Sequence, residues 1–329
     1  MNKRERILAA SRREPTDRIP VAFWRHFPGD DQRAGDLAQA TIAFQERYDF
    51  DFVKVSPSNS FAGEDWGAQT AFHGNMEGTR DYLDRPVKRP ADWGALKPLD
   101  AHQGALGRQL ECLRQLKARW GESVPFIQTI FNPLMVARYL RGDLWIADMR
   151  AYPRDFRAGL EIITDSVARF AAAAVEAGAA GLFFATQAAS YRQLSEAEYR
   201  EFGLPYDLQV LEAARGGWFH LLHMHGDDIM FHLWREYPVQ AVNWHDRSTR
   251  PDLREGRAHF GGAVVGGIRQ HGSMLQGDPA EVTAEARDAI AQTDGGQGLI
   301  IGAGCVLQIP TPESNIRAAL AVAARWIPS

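Results

Sequence analysis

Eight short runs of β-branched, aromatic and small apolar residues recur along this 329-residue chain, most of them followed by a longer stretch with helical periodicity. The runs cover residues 19–27, 52–56, 125–131, 181–188, 219–226, 241–246, 263–268 and 299–305. Several are almost uninterruptedly apolar, as expected of strands buried on both faces of a parallel sheet. The helical stretches include 165–178, 196–214, 279–292 and 313–326, most with an acidic residue in the first turn and some with glycine at or just past the end. Such alternation predicts parallel pairing. Eight units rather than five or six favour an α/β fold of the (β/α)8 TIM-barrel type over an open doubly wound sheet. Residues 61–98, rich in Gly, Asp and Trp, read as an insertion after the second strand, suited to covering the barrel mouth. No repeat and no linker divides the chain, so one domain over 1–329 is expected.

Composition narrows the class of partner. A hydrophobic fraction of 45% beside 24% charged residues is ordinary for a globular protein and excludes a disordered or fibrous chain. The net charge of -4, with both signs interspersed, argues against a nucleic-acid surface, which needs clustered Lys and Arg. No apolar run approaches the roughly 20 residues that span a bilayer, and the opening residues 1–6 lack the apolar core of a signal peptide. With only Cys112 and Cys305 a disulfide framework is ruled out, so a reducing, cytoplasmic setting is expected, without membrane or nucleic acid. A small-molecule substrate fits this profile. The oligomeric state stays open, a homodimer included.

In a barrel the reactive groups collect at the carboxyl ends of the strands. There the fifth strand carries His223-Met224-His225, the sixth Asn243-Trp244-His245-Asp246, and the eighth ends at Cys305. His223 and His225 are two apart on a strand and so face the same side, the barrel interior. With Cys305 they form a His2Cys set that leaves one position open, the arrangement of catalytic zinc. Taken singly, each of the three also suits a histidine that fills the barrel top or an inert buried cysteine. Asn243 and His245 repeat the same spacing. His245 suits a further ligand, a general acid or base, or a partner that orients a ligand imidazole. Asp246 suits a base, or an ion pair with Arg247 that fixes the loop. Gln128 and Gln187, at the ends of the third and fourth strands, are candidates for substrate contact or for a satisfied polar rim. Trp24, near the mouth with other aromatic residues, suits an apolar substrate or plain packing.

Two stretches carry a family resemblance. The opening Arg4-Glu5-Arg6-Ile7-Leu8-Ala9-Ala10 with Asp17-Arg18-Ile19-Pro20-Val21, and the closing Gly304-Cys305-Val306-Leu307 with Thr311-Pro312-Glu313-Ser314-Asn315-Ile316, resemble the uroporphyrinogen decarboxylase superfamily. The true decarboxylases have a first-strand loop with two arginines for substrate carboxylates. In Trp24-Arg25-His26-Phe27-Pro28-Gly29-Asp30 only Arg25 matches, which makes it a candidate catalytic contact. Their pyrrole-binding aspartate falls at Ser56-Pro57-Ser58, and their late histidine at Cys305. A polycarboxylate tetrapyrrole needs several cations, so the chain is more similar to the zinc-dependent corrinoid methyltransferase branch. That branch carries His-x-Cys on the fifth strand and a second cysteine on the eighth as zinc ligands. His223 and Cys305 match, and His225 replaces the middle cysteine. Two imidazoles and one thiolate make a stronger Lewis acid than one imidazole and two thiolates. The resemblance implies a metal-dependent methyltransferase or demethylase that moves a methyl group between a small substrate and a corrinoid or thiol acceptor. No Asp-x-His-x-x-Gly corrinoid motif occurs, so a corrinoid would arrive on a separate protein. The other readings are a decarboxylase-like lyase, a zinc hydrolase with His245 or Asp246 as base, and a non-catalytic ligand-binding barrel.

Overall fold

The computed structural model describes residues 1–326. Seven parallel strands form one curled sheet: β1 (Val53–Val55), β4 (Phe126–Phe131), β5 (Gly181–Thr186), β6 (Leu221–Met224), β7 (Ala241–Trp244), β8 (Ala263–Ile268) and β9 (Leu299–Ala303), bonded in that order. A separate antiparallel pair, β2 (Gln69–Ala71) with β3 (Asp81–Asp84), lies within the segment after β1. The chain is thus an α/β fold with a curled parallel sheet.

The first expected strand, 19–27, appears only as two isolated parallel bridges, Val21 to Ile301 and Arg25 to Leu307. Pro20 explains the gap in part, since it has no N–H to give to a ladder. The segment still bonds on both sides. Ile301 N donates to Pro20 O at 2.8 Å and Ala22 N to Ile301 O at 3.0 Å, while Asp51 N, ahead of β1, donates to Val21 O at 2.9 Å. Both edges of the sheet therefore meet through residues 20–22. Asp51, fully buried, stitches the junction by accepting from Val21 N (2.8 Å), Arg6 Nη1 (2.7 Å) and Arg18 Nη1 (2.8 Å).

Strand parity sorts the core into two clusters. Ala22, Trp24, Phe52, Ile127, Phe183, Ala185, Phe219, Leu221, Ala241, Val265 and Ile300 pack together inside the curl. Their neighbours Val53, Val55, Phe184, Leu222, Val242, Val264 and Ile301 face outward and join the larger cluster with the helices. Outside lie helices such as Pro153–Glu176, Pro279–Gln292 and Glu313–Arg325. Asp278 caps the second by accepting from Ala280 N and Glu281 N, and Pro279 occupies the first turn, where its missing N–H costs nothing. The helix expected over 196–214 is broken into Glu196–Phe202 and Leu204–Ala213. Pro205, which cannot donate to a preceding turn, forces the break at Gly203.

Candidate metal centre

Strands β6, β7 and β9 each end two residues before the apolar runs that contain them, so His225 and His245 lie one residue past β6 and β7, and Cys305 two residues past β9. Here the chain turns, and the side chains converge. His223 Nε2 and His225 Nδ1 are 3.4 Å apart, and Cys305 Sγ is 3.7 Å from the former and 3.6 Å from the latter. A tetrahedral ion with bonds of about 2.0–2.1 Å to nitrogen and about 2.3 Å to sulfur has ligand edges of roughly 3.3–3.6 Å. The three donors already stand within about 0.1 Å of those separations. His245 Nε2 lies 3.2 Å from His225 Nδ1, and the four ligand atoms all fall within 4.8 Å of one another.

Gly304 lets Cys305 come this close. A Cβ there would meet His245 Cα at 2.9 Å, Gln270 Oε1 at 3.0 Å and Trp244 O at 3.2 Å, so a side chain would push the end of β9 off the end of β7.

Hydrogen bonds around the cluster decide which ring nitrogen carries the proton. His223 Nδ1 donates to Asn243 Oδ1 at 2.6 Å. The amide of Asn243 is oriented by its own donations to Val265 O (2.8 Å) and Ala303 O (3.1 Å), which leaves its oxygen to accept. His223 Nε2 is therefore left with its lone pair facing Cys305 and His225. For His245 the opposite holds: Gln270 Nε2 donates to its Nδ1 at 2.9 Å, which places the ring proton on Nε2. Burial pushes the Cys305 thiol up, but the neighbouring His223 and His225 outweigh it and hold the thiol well below its ordinary range. Burial likewise lowers His223, whereas the Cys305 sulfur overcomes burial at His225 and raises it. The cluster thus favours a thiolate, the form that binds a metal.

A cavity of about 150 Å³ opens beside His223, His225 and Cys305. Of the expected contacts, Trp24 and Gln187 line it, and Gln187 Oε1 accepts from Arg138 Nη1 at 3.2 Å. Asn243 sits behind His223 rather than at the wall. Gln128 is fully buried and turned away, donating to Thr129 O at 2.8 Å and accepting from Gln109 at 3.1 Å, because its parity is opposite to that of Ile127 and Thr129. Arg25, expected to be catalytic, is not among the lining residues either. Its guanidinium lies over the rings of Phe27 (5.1 Å) and Phe44 (5.5 Å) and donates to Ile309 O at 3.3 Å. Asp246 points away as well, accepting from Gly267 N at 3.1 Å, 3.8 Å from Arg247. Burial pushes its carboxyl up to about 7 against the opposing pull of the Gly267 amide and Arg247.

Sequence reasoning missed His26, Lys54, Thr129 and Glu77, all in the cavity wall, and Gln270 behind His245. The signal for two of them was present. His26 follows the inward Trp24 by two, and Lys54 follows the inward Phe52 by two, a charged residue in an otherwise apolar strand. Glu77 and Thr79 come from the 61–98 segment, whose loop is tied to the chain after β9 by Ile309 N donating to Met76 O at 2.7 Å.

Comparison with known proteins agrees with this architecture. Methylcobamide:CoM methyltransferase MtbA from Methanosarcina acetivorans is 24% identical over 336 residues, 95% of each chain. A uroporphyrinogen decarboxylase from Anaeromyxobacter dehalogenans is 27% identical over 345 residues, covering 95% of this chain and 96% of that one. Among solved structures, a methyltransferase from Methanosarcina mazei superposes with a TM-score of 0.85 at 21% identity and 98% coverage of both chains, a likeness of fold. The uroporphyrinogen decarboxylase (URO-D) family model matches residues 2–326, and the chain belongs to that family.

Proposed function

We propose that this protein is a metal-dependent methyltransferase that moves a methyl group between a corrinoid, carried by a separate protein, and a small thiol or ether substrate. The observation that carries the reading is the triangle of His223 Nε2, His225 Nδ1 and Cys305 Sγ, with edges of 3.4, 3.6 and 3.7 Å. Those separations suit zinc, and the donor set of two imidazoles and a thiolate suits it chemically. Relatives named as methylcobamide:CoM methyltransferases add support.

His223, His225 and Cys305 would hold the ion, which when bound supplies a Lewis acid that lowers the pKa of a substrate thiol or hydroxyl. The remaining steps belong to the chain. Asn243 keeps the proton of His223 on Nδ1 and the ring fixed. His245, whose Nε2 carries the proton and whose Nδ1 is held by Gln270, would join the ion as a fourth ligand only if Gln270 reverses its amide. Trp24, Phe131, Met135 and Phe183 give the cavity apolar walls that exclude water from the transfer.

The decarboxylase reading has less support here, since Arg25 is spent on Phe27 and Phe44. The test is elemental analysis of purified protein beside Cys305→Ala and His223→Ala, then methyl transfer from a methylated corrinoid to thiols. Near-stoichiometric zinc that both variants lose, with transfer that needs it, is the expected result. A folded wild-type protein that takes up no zinc on titration overturns the proposal.

A further inference from the structure

Outside the cavity, three buried acidic side chains form a closed triangle that the chemistry above does not use. Tyr199 Oη lies 2.6 Å from Asp207 Oδ2, Tyr237 Oη lies 2.7 Å from the same oxygen, and the two phenol oxygens are 2.8 Å apart. Gly203, at the break between the two helices, makes room for this, because a Cβ there would meet the Tyr199 ring at 2.6 Å. Three hydrogen-bonded edges need three protons, and the two phenols supply only two. As a carboxylate, Asp207 accepts from both phenols, which leaves their oxygens lone pair to lone pair at 2.8 Å. As a carboxylic acid it completes the set: its O–H donates to one phenol, that phenol donates to the other, and the second donates back to Oδ2.

The surroundings favour the acid form. Asp207 is fully buried, and burial pushes its carboxyl up to about 7 against the opposing pull of Tyr199, Tyr237 and Asn132. Those three face it directly, and Thr186 reaches the ring at 3.3 Å from Tyr199 Oη. Among the described residues no cation pairs with Asp207. Arg138 pairs with Asp143, Arg157 with Glu201, Arg200 with Glu196 and Glu236, and His232 faces Glu196. An ionised Asp207 would be a buried charge without a counter-ion, which is costly.

The ring is tied to one wall of the cavity. Asn132 donates to Asp207 Oδ1 at 3.1 Å, while its own Oδ1 accepts from Met135 N at 3.0 Å and so caps helix Pro133–Arg141. That helix brings Met135 and Tyr139 to the cavity.

We infer that Asp207 carries a proton in the folded protein up to about neutral pH, closing a neutral ring with Tyr199 and Tyr237 that locks helix Pro133–Arg141, and that loss of this proton to solvent releases that wall of the cavity. The lock goes beyond the metal-centre reading and does not depend on it.

The experiment uses the full-length protein beside Asp207→Asn, whose amide keeps a donor and cannot ionise. Difference infrared spectra of wild type at about pH 6 are expected to show the carbonyl stretch of a protonated carboxylic acid that Asp207→Asn lacks, fading as pH rises through about 7. Hydrogen exchange of the amides of 133–141, corrected for its intrinsic pH dependence, reports opening of the helix. Because the folded carboxyl is raised from 3.8 to about 7, opening in wild type is expected to grow about tenfold per pH unit between about pH 5 and 6 and to level off above 7. In Asp207→Asn it stays constant. A wild type without a band that Asp207→Asn removes, or equal pH slopes in the two proteins, overturns the inference. Should Asp207→Asn not fold, the wild-type exchange series alone decides, a flat series overturning the lock and the rise with its plateau supporting it.

Discussion

Asn243 Oδ1 lies 2.6 Å from His223 Nδ1, while the amide nitrogen of the same side chain is held by the carbonyls of Val265 and Ala303. Three strands thereby set the tautomer of one imidazole. Replacing Asn243 with Ala leaves His223 free to turn and to place its proton on either nitrogen. Metal affinity is expected to fall about 10- to 100-fold, as when other partners that orient metal-bound histidines are removed. Chelator competition on protein with unchanged circular dichroism measures it, and undiminished affinity would show that Asn243 does not control the ring.

Gln270 sets the opposite tautomer at His245. In Gln270→Glu a carboxylate accepts from Nδ1, which turns the lone pair of Nε2 toward the cluster and makes His245 a fourth ligand. The variant is expected to bind metal more tightly than wild type and to transfer methyl groups more slowly, because the open position is filled. Cobalt-substituted protein reports the change directly, since its visible spectrum responds to a fourth nitrogen ligand. An unchanged spectrum counts against the tautomer argument.

Asp246 is expected to serve the loop rather than the reaction, because its carboxylate accepts from Gly267 N and does not line the cavity. Asp246→Asn should keep full metal content and lose less than about tenfold in kcat. A loss of about 100-fold or more with metal intact would restore Asp246 as a base. The pH dependence has a definite sign. The folded carboxyl is raised to about 7 from 3.8, so its contribution is fully present below pH 3.8 and lost as pH rises toward 7. The Asn variant, which has no such group, gains on wild type over that range in denaturant unfolding.

His220 titrates the other way. It is buried, its Nδ1 accepts from Leu182 N at 3.2 Å, and burial lowers it to about 4. With the folded value below the unfolded 6.5, its contribution is fully present above pH 6.5 and lost as pH falls toward 4. His220→Asn keeps an acceptor for Leu182 N and removes the proton site. Across pH 6.5 to 4 the stability difference between wild type and variant is expected to shift in the variant's favour, by at most about 3 kcal/mol. Parallel unfolding curves at both ends of that range would refute this.

The residues that reveal themselves in sequence are those whose chemistry depends on strand parity alone. His223 and His225 can be placed on one face by counting, and Cys305 at the same end by the order of the strands. Gln128 was misplaced because it lies within β4 rather than at its end, where its parity, opposite to that of Ile127, turns it toward the side chain of Gln109 and the carbonyl of Thr129. Arg25 was misplaced for the same reason: Trp24 and His26 face the cavity, so the residue between them cannot. The first strand was overestimated because apolar character says nothing about Pro20 and the ladder bonds it cannot make. Gln270 lies outside any apolar run, and nothing local ties it to His245, 25 residues earlier.

The position of Cys305 beyond β9 has a consequence for assembly. His223 and His225 are made 82 and 80 positions before the thiolate that would complete the set, and until β9 docks against β8 and the 20–22 segment they are a pair of imidazoles without that thiolate. On the metal reading, tight capture would wait for the two edges of the sheet to meet, and would then clamp the newest strand to the middle of the sheet. A bound ion would act as a latch, and its release on unfolding would mark the moment the sheet opens.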